Sequence, residues 1–401
     1  MSDLPDTDAS GSDAAAALFS QDTADAPHAT YRRAHAMCPV ARSDLGDGSF
    51  VAVTRYDDVW WALRHPDVFT SAANTLDLGE QPLLPLEVDP PEHTRYRRLL
   101  NPRFVPREIE RLEAEVRARV RRLIDRVGPR GRCEFHDEIA TPLPSGVFLA
   151  LMGLPRSDLP QFLRWRDDTI RPDVAPDDFE GAQRVRARTA HAISDYFRSA
   201  IERLRSEPDE GLLSSLVNAR IDGQPLSEAE LLGISHLLLL GGLDTVTASL
   251  DCMVHFLATH PRHRRELIDD PALIPSAVEE LLRWLSPVMV VPRVVATDVE
   301  MSGVRLRRGE GVMLAVGAAN ADDTEFGDNS VDFHRDPNRH VAFGGGHHLC
   351  LGAHLARLEL RVVLEELHAR IPDYRIVDGA DVHFSPGIRQ ADHLPLEFTP
   401  T

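Results

Sequence analysis

The stretch FGGGHHLCLGAHLARLEL, residues 343–360, combines a run of glycines, a cysteine and an amphipathic segment. Glycine-rich backbone forms tight loops, and the residues after Gly352 have helical spacing. This order predicts a loop that delivers Cys350 to the N-terminus of a helix over residues 353–370. The backbone N–H groups and the positive dipole end at that position favour the thiolate, which is the form of cysteine that binds metal ions.

Two plainer interpretations of Cys350 remain at this point. A cysteine beside glycines is often a small buried core residue with no chemical role. The segment also holds borderline zinc ligands, although so tight a loop does not allow all of them to point at one ion. These ligands are His347, His348, Cys350 and His354.

The charge balance of the chain restricts its partners. There are 44 Lys and Arg residues against 63 Asp and Glu residues, which gives a formal net charge of -19. Binding to phosphate backbones or anionic lipids relies on clustered basic side chains. We therefore expect no binding to nucleic acid and none to a membrane.

The cysteines and the apolar runs restrict the compartment. Cys38, Cys133, Cys252 and Cys350 are widely scattered, without the close spacing of a disulfide framework. The start of the chain lacks the order of a secretion signal, and the longest apolar stretch, residues 237–243, is too short to span a bilayer. We expect a cytoplasmic protein.

Periodicity along the chain predicts one mainly helical domain with a minor β-sheet region. Residues 1–22 mix Asp, Ser, Gly and Ala without periodicity, so we expect a flexible acidic tail there. No repeat or linker divides residues 23–401. Helical patterns cover residues 31–37, 56–64, 107–128, 158–170, 181–206, 227–260, 275–285 and 353–370, and strand patterns cover residues 49–54, 299–306 and 312–315.

The long helix predicted over residues 227–260 has an unusual centre. Adjacent Gly241 and Gly242 each cost about 1 kcal/mol relative to Ala in a helix. The hydroxyl of Thr245 can reach back to the carbonyl of Gly241 and open the helix into a groove. A simpler alternative is that the glycines allow close helix packing while Asp244 lies on a solvated face.

The order of residues around the cysteine resembles the haem-binding signature of the cytochrome P-450 superfamily. That signature has Phe, Gly, Gly, a basic residue, Cys and Gly in fixed order. The matching residues here are Phe343, Gly344, Gly346, His348, Cys350 and Gly352. The resemblance extends from about residue 30 to the end of the chain. The sequence after residue 230 is similar to that of soluble bacterial monooxygenases of the camphor-hydroxylase type.

The resemblance implies the cytochrome P-450 fold, with haem b (iron protoporphyrin IX) between the long helix and the helix after Cys350. Cys350 would be the axial ligand of the haem iron, and a thiolate ligand favours cleavage of the O–O bond of dioxygen. Gly344, Gly346 and Gly352 leave no side chain where a flat macrocycle would lie close. The implied activity is hydroxylation of a small apolar substrate, such as a terpenoid, steroid, fatty or aromatic compound.

The resemblance also assigns catalytic roles in the long helix. Thr245 would support the hydrogen bond to dioxygen, and Asp244 would help to relay protons by general acid catalysis. The position of Gly241 is commonly alanine in the family, and we expect glycine to serve the same role.

Seven further side chains match structural and cofactor positions of the family. Glu280 and Arg283 match its Glu-x-x-Arg element, and Arg335 falls where a third member closes a buried network. Taken alone, the first two would be an ordinary surface ion pair. Four others would bind the haem propionates, although each alone is an ordinary solvated charge. They are His93, Arg97, Arg293 and His348.

The expected substrate pocket is apolar, because the segments that would line it carry few charges. The side chains expected to line it are Leu83, Leu237, Leu240, Val288, Val290, Val291 and Ile388.

Electrons must come from other proteins, because the sequence has neither a GxGxxG motif nor a cysteine cluster. A ferredoxin and its NAD(P)H-dependent reductase are implied by analogy, with a docking patch of Arg103, Arg107, Arg111 and Arg357. One alternative is a peroxygenase that takes hydrogen peroxide directly, which the acid–alcohol pair of the long helix disfavours. An alternative from another class is a haem carrier or gas sensor.

Overall fold

The computed structural model describes residues 15–37, 39–44, 49–72, 81–175 and 178–401 and, for Asp44 and Phe179, the backbone alone. Residues 1–14 of the expected tail and Cys38 lie outside the described residues.

Helices carry most of the described chain before residue 210. They are Gln21–Asp25 (α1), Pro27–Met37 (α2), Tyr56–Ala62 (α3), Glu92–Leu100 (α4), Pro106–Glu110 (α5), Glu113–Val127 (α6), Pro142–Met152 (α7), Leu159–Ile170 (α8) and Phe179–Ser206 (α9). Helix α6 buries Val116, Val120 and Ile124 at intervals of four, so its apolar stripe faces the core.

The second half is also mainly helical. Its helices are Leu212–Val217 (α10), Glu228–Leu243 (α11), Thr245–Thr259 (α12), Pro261–Asp269 (α13), Ile274–Leu285 (α14), Val316–Ala319 (α15), Asp323–Phe326 (α16) and Ala353–Arg370 (α17). A capping box between Ser227 and Glu230 fixes the start of α11.

The strands are short and form a minor part of the fold. They are Val40–Asp44 (β1), Ser49–Val53 (β2), Phe69–Thr70 (β3), Arg132–Glu134 (β4), Arg220–Ile221 (β5), Gln224–Pro225 (β6), Val291–Val295 (β7), Val299–Met301 (β8), Val304–Leu306 (β9), Gly311–Leu314 (β10), Tyr374–Ile376 (β11) and Pro395–Phe398 (β12).

Two sheets organise most of these strands. The larger sheet has the order β1-β2-β10-β7-β3, with β10 parallel to β2 and antiparallel to β7. Its register places Val312 opposite both Val51 and Arg293. The second sheet has the order β11-β12-β4, and β5-β6 and β8-β9 are separate pairs. The mainly helical fold with a minor sheet region agrees with the prediction.

The long apolar helix lies inside the protein. The run Glu228–Thr259, which contains α11 and α12, is long and apolar enough to cross a bilayer by length and composition alone. However, 72% of its apolar window is buried inside the protein. Residues such as Leu231, Leu239 and Leu250 belong to the main core, as expected for the central helix of a folded domain.

Three predictions about the elements need correction. Residues 15–22 are not a flexible tail, because Ala15 and Leu18 are each 2% exposed and pack in one cluster with Phe50. Residues 107–128 form parts of two helices rather than one. Residues 299–306 form two strands, β8 and β9, rather than one. Helix α7, which was not predicted, opens with Pro142 and Pro144, and proline is compatible with a first helical turn.

Candidate functional site

The loop that carries Cys350 has the predicted shape. A 3-10 turn covers Gly346–His348, and helix α17 starts directly after Gly352. The Cys350 backbone N–H donates to the Phe343 carbonyl at 3.0 Å, which closes the loop. Gly344 has a φ of 71°, a conformation that favours glycine over other residues.

The glycines of this loop serve two different purposes. A Cβ atom added to Gly352 would meet nothing within 4 Å, and one on Gly344 would meet only the His348 carbonyl at 3.9 Å. A Cβ atom on Gly346 would lie 2.4 Å from the Leu63 carbonyl. The prediction that Gly346 makes room for a flat macrocycle is therefore wrong, because it makes room for the backbone that follows α3.

The position of Cys350 has two opposite effects on its thiol. The side chain is accessible by area, but protein surrounds it on nearly every side. Burial raises the pKa of Cys350, and the Gly352 backbone N–H, Arg97 and Arg357 only partly oppose this effect. The helix start therefore favours the thiolate as predicted, but the desolvation of the charge is the larger effect.

Basic and imidazole groups gather beside the Cys350 loop. His93 is 2% exposed, and neither of its ring nitrogens has a hydrogen-bond partner among the described residues. Its ring centroid lies 4.5 Å from that of His348, whose Nε2 also has no such partner. Burial lowers the pKa of His93 to about 4 and that of His348 to about 2, so both are neutral near pH 7.

Two arginines complete this group. Arg293 is 7% exposed, and burial lowers its pKa to about 10, so the guanidinium stays charged at pH 7. Arg97 is half-buried and lies close enough to act on Cys350, His93 and His348. Four predicted propionate partners thus come together from α4, β7 and the cysteine loop.

Two more residues belong to this group: Asp89, which was not predicted, and His347, which the sequence offered only as an alternative zinc ligand. His347 has its ring centroid 5.0 Å from that of His93 and an Nε2 atom 3.9 Å from the Asp89 carboxylate. Asp89, His347 and His348 place ligand atoms within 4.8 Å of one another. A divalent cation is disfavoured there, because Arg97 and Arg293 give the same region positive charge.

The residues present fit haem b. A buried imidazole without a partner and a buried guanidinium both call for an anion, and haem brings two carboxylates. Gly344 and Gly352 leave open space beside the only soft ligand of the cluster, Cys350. The alternative zinc set of His347, His348, Cys350 and His354 does not form a ligand cluster in the described part of the chain, because only the two histidines group there, with Asp89.

The break in the long helix lies at the predicted position. Helix α11 ends at Leu243 and α12 begins at Thr245. The Thr245 hydroxyl donates to the Gly241 carbonyl at 3.1 Å. A Cβ atom on Gly241 would meet nothing within 4 Å, whereas one on Gly242 would lie 2.8 Å from Phe148. Close packing therefore explains Gly242 but not Gly241.

Asp244 does not lie on a solvated face. The residue is 0% exposed, and its carboxylate accepts a hydrogen bond from the Arg171 guanidinium at 2.7 Å. Arg166, 4% exposed, lies 3.8 Å from the same oxygen. Both arginines come from α8 and the residue after it, and sequence reasoning missed them because no local pattern links them to the long helix.

Glu280 and Arg283 form a buried pair rather than a surface pair. Both side chains are 0% exposed, and the guanidinium binds the carboxylate through two hydrogen bonds of 2.7 and 2.8 Å. Arg335 donates to the same carboxylate at 3.1 Å. Two further donors, Asn338 and the Asp332 backbone N–H, each lie 3.0 Å from it.

This buried network reaches the cysteine loop through one asparagine. Arg283 donates to the Asn320 carbonyl at 2.8 Å, and the Asn320 side chain accepts from the Val341 N–H at 2.7 Å. Val341 lies two residues before Phe343, where the loop begins. The network therefore fixes the backbone that enters the loop.

Most of the predicted pocket residues are partly accessible. An isolated antiparallel bridge pairs Val288 with Ile388, and both remain partly accessible. Leu237, Val290 and Val291 are also partly accessible, and Leu240 is 9% exposed. Leu83 is different, because it is 1% exposed and packed in the main core. The prediction for Leu83 is wrong, since it presents no surface to a ligand.

Comparisons with known proteins agree with this geometry. The family model described as Cytochrome P450 matches residues 169–368. The chain is 35% identical over 376 residues to a steroid C26-monooxygenase of Mycolicibacterium smegmatis, covering 92% of each protein. It is 39% identical over 356 residues to the mycinamicin IV hydroxylase/epoxidase of Micromonospora griseorubida, covering 86% of this chain and 88% of the relative.

A solved structure extends the similarity to the fold. The crystal structure of CYP109E1 from Bacillus megaterium in complex with testosterone superposes with a TM-score of 0.88 at 28% identity. The match covers 94% of this chain and 99% of the other. The chain therefore belongs to the cytochrome P450 family, and it is a haem b monooxygenase of that family.

Proposed function

We propose that this monooxygenase hydroxylates a steroid or a similarly sized apolar lipid, with electrons from a ferredoxin and an NAD(P)H-dependent ferredoxin reductase. The names of the similar proteins support a substrate of this kind. The partly accessible Val and Ile side chains at the Val288–Ile388 bridge support an apolar wall for it. The reducing interior of a bacterial cell is the compartment we expect.

The hydrogen bond from Thr245 to the Gly241 carbonyl is the observation that carries this proposal. Bound haem b supplies the iron at which dioxygen is activated. Cys350 would hold the iron, and His93, Arg97, Arg293 and His348 would hold the propionates.

The opened helix lets the residues around Thr245 handle protons. The Thr245 oxygen keeps lone pairs free to accept from a water while its hydrogen is donated to the Gly241 carbonyl. Asp244 lies next in the chain, buried with Arg171, and can pass a proton toward that hydroxyl when the ion pair loosens. The use of dioxygen requires protons supplied from outside the pocket, whereas hydrogen peroxide brings its own protons and electrons.

An acidic ferredoxin would dock beside α17. Arg103 precedes α5 and Arg107 lies on it, and both are exposed. Helix α5 lines a groove with His354 and Arg357 of α17. Arg357 contributes less than predicted, because Glu279 binds it through hydrogen bonds of 2.7 and 2.8 Å. Arg111 is likewise paired with Glu108 at 2.7 Å.

The proposed function is tested by an optical titration followed by turnover. A panel of steroids, branched fatty acids and macrolides is screened for the shift of the haem from low spin to high spin. A compound that binds is then incubated with a surrogate ferredoxin, its reductase and NADPH. We expect substrate-dependent NADPH use and a product with one added oxygen atom.

Other outcomes identify other functions. Turnover with hydrogen peroxide but none with NADPH would indicate a peroxygenase, and reversible ligand binding without turnover would indicate a sensor. For the ferredoxin, Arg103→Glu and Arg107→Glu should weaken turnover at limiting ferredoxin by about tenfold together. Arg188→Glu, an exposed arginine on α9, is the control and should leave turnover unchanged.

A further inference from the structure

Helix α1 is fastened to a loop near the C-terminus of the chain. The Asp25 carboxylate accepts from the Phe384 N–H at 2.7 Å and pairs with the His383 ring at 2.9 Å. Gln21 donates to the Phe384 carbonyl at 2.9 Å. Both hydrogen-bonding groups of the Phe384 backbone are therefore used by two side chains of α1, one turn apart.

A buried arginine makes the same connection from the other side. Arg389 is 5% exposed and donates to the Ala24 carbonyl and to the Leu285 carbonyl, each at 2.7 Å. Its guanidinium also lies over the Phe384 ring, 5.1 Å from the centroid. One side chain thus joins α1, the end of α14 and the loop of residues 383–391.

This loop is also one wall of the expected pocket. Ile388 forms the antiparallel bridge with Val288, and the Met289 N–H donates to the Gly387 carbonyl at 2.9 Å. The Arg389 N–H donates to the Pro287 carbonyl at 2.8 Å. The loop therefore sits between α1 on one side and residues 287–289 on the other.

We propose that α1 is a positioning element for the substrate pocket, and that Asp25 and Arg389 set the placement of Ile388 against Val288. The inference rests on the proposed function, because it takes Val288 and Ile388 as part of the pocket wall. Asp25 would then determine specificity without touching the substrate, and it lies more than 350 residues before Phe384 in the sequence.

The type of contact explains how side chains of α1 act on the wall. Hydrogen bonds to the backbone of Phe384 and to the carbonyls of Ala24 and Leu285 fix the main chain at these three residues, and they do not depend on the side chains of those residues. Burial opposes ionisation of Asp25, but the Phe384 N–H and His383 outweigh it and lower the pKa of Asp25. Asp25 is therefore charged at neutral pH, and charge-assisted hydrogen bonds are the stronger kind.

The test uses two azole probes of different size on the haem-loaded protein. Imidazole is small and binds the iron alone, whereas 4-phenylimidazole also extends into the pocket. Optical titration gives the Kd of each for the wild type, Asp25→Ala and the control Asp22→Ala, an exposed residue of the same helix. In Asp25→Ala we expect the Kd of 4-phenylimidazole to change by about threefold or more, with the Kd of imidazole unchanged.

Two further variants keep the test decisive. Asp25→Asn retains an acceptor for the Phe384 N–H and should restore most of the wild-type ratio of the two Kd values. Gln21→Ala removes the bond to the Phe384 carbonyl together with the exposed bond to the Asp25 carboxylate, and it replaces Asp25→Ala if that variant does not fold. Hydrogen exchange of residues 383–391 should rise in Asp25→Ala and stay unchanged in Asp22→Ala.

The outcomes separate this inference from the proposed function. An unchanged Kd ratio in folded Asp25→Ala or Gln21→Ala overturns the positioning role and leaves the monooxygenase assignment intact. Equal changes for both probes also overturn it, because they indicate a general loss of haem binding. A wild type that shows no optical shift with imidazole contradicts the haem site itself, and the positioning role falls with it.

Discussion

The cysteine loop and the break in the long helix are the two regions that the family resemblance places beside haem, and they are held in different ways. The loop is fixed by its own backbone, through a positive φ at Gly344 and the bond from the Cys350 N–H to the Phe343 carbonyl. The break is fixed partly by Arg171, which reaches Asp244 across 73 residues. The contacts within the loop are local in sequence, although the Arg283–Asn320 network holds its entry, whereas the break itself includes a side chain from a distant segment.

The two regions should therefore respond differently to mutation. The loop depends on the buried network that holds its entry, so removal of that network should affect haem binding. The break depends on a hydrogen bond and an ion pair around the helix, so its removal should affect proton handling while haem stays bound. Haem content and product yield per NADPH therefore distinguish damage to the loop from damage to the break.

Loss of the buried network should have the largest effect. Glu280→Ala leaves Arg283 unpaired in the core, at a cost of about 3–5 kcal/mol. We expect little haem-loaded protein from Glu280→Ala and from Arg283→Ala. The measurement is haem content per protein and the melting temperature. Glu108→Ala breaks an exposed i,i+3 pair of similar length and is the control. Normal haem loading in both network variants would contradict the structural role.

The Thr245 and Asp244 variants should fail differently from each other. Thr245→Ala removes the hydroxyl that donates to Gly241, so oxygen should be lost as hydrogen peroxide while NADPH use continues. Asp244→Asn keeps size and polarity but loses the titratable group, so the whole cycle should slow with a larger solvent isotope effect. Product and peroxide per NADPH are measured with one verified substrate. If Thr245→Ala forms as much product per NADPH as the wild type and Asp244→Asn turns over at the wild-type rate, neither residue belongs to the mechanism.

A double-mutant cycle tests the long-range ion pair at the break. Arg171→Ala should destabilise the protein by about 1–3 kcal/mol, because Asp244 is fully buried while the arginine is partly exposed. Adding Asp244→Asn to Arg171→Ala should cost little more, since the paired charge is already gone. Denaturant unfolding gives the values, with Arg164→Ala, an exposed arginine of α8, as the control. Additive losses would show that the two side chains do not interact.

The helix that follows the loop should give the smallest effect. Glu359 on α17 is 2% exposed, and burial raises its pKa to about 8. The folded protein then keeps a proton that the unfolded chain releases, so stability should fall as pH rises from about 4.5 to 8. Glu359→Gln should reduce this slope and raise stability at pH 8 by about 1–3 kcal/mol. If the free energy of unfolding of Glu359→Gln changes with pH as steeply as that of the wild type, the raised pKa of Glu359 is contradicted. Glu300→Gln, at an exposed position, is the control.

The sequence predicted the parts of the site that are set by neighbouring residues. Helix α17 starts directly after Gly352, and Thr245 bonds to Gly241 four residues earlier. In both cases the residues that determine the feature are close neighbours in the sequence. The four side chains proposed to bind the haem propionates lie close to one another, although they come from three elements. Family knowledge supplied that long-range information.

The remaining features depend on contacts between distant segments. Arg171 and Arg166 look like ordinary helix charges, and only the fold brings them to Asp244. Residues 15–22 have no periodicity, yet Leu18 is buried by packing against strands far along the chain. Leu83 looks like a pocket residue because of its segment, but the fold turns it into the core.

The reduced carbon monoxide spectrum tests the central claim, that Cys350 is the thiolate ligand of a haem monooxygenase. The wild type should show the strongly red-shifted haem band of thiolate ligation, and Cys350→Ala should lose it. Cys252→Ala, which removes a buried thiol elsewhere in the core, should keep the band. A wild-type band typical of histidine ligation in active protein, or an unchanged band in Cys350→Ala, would contradict the account.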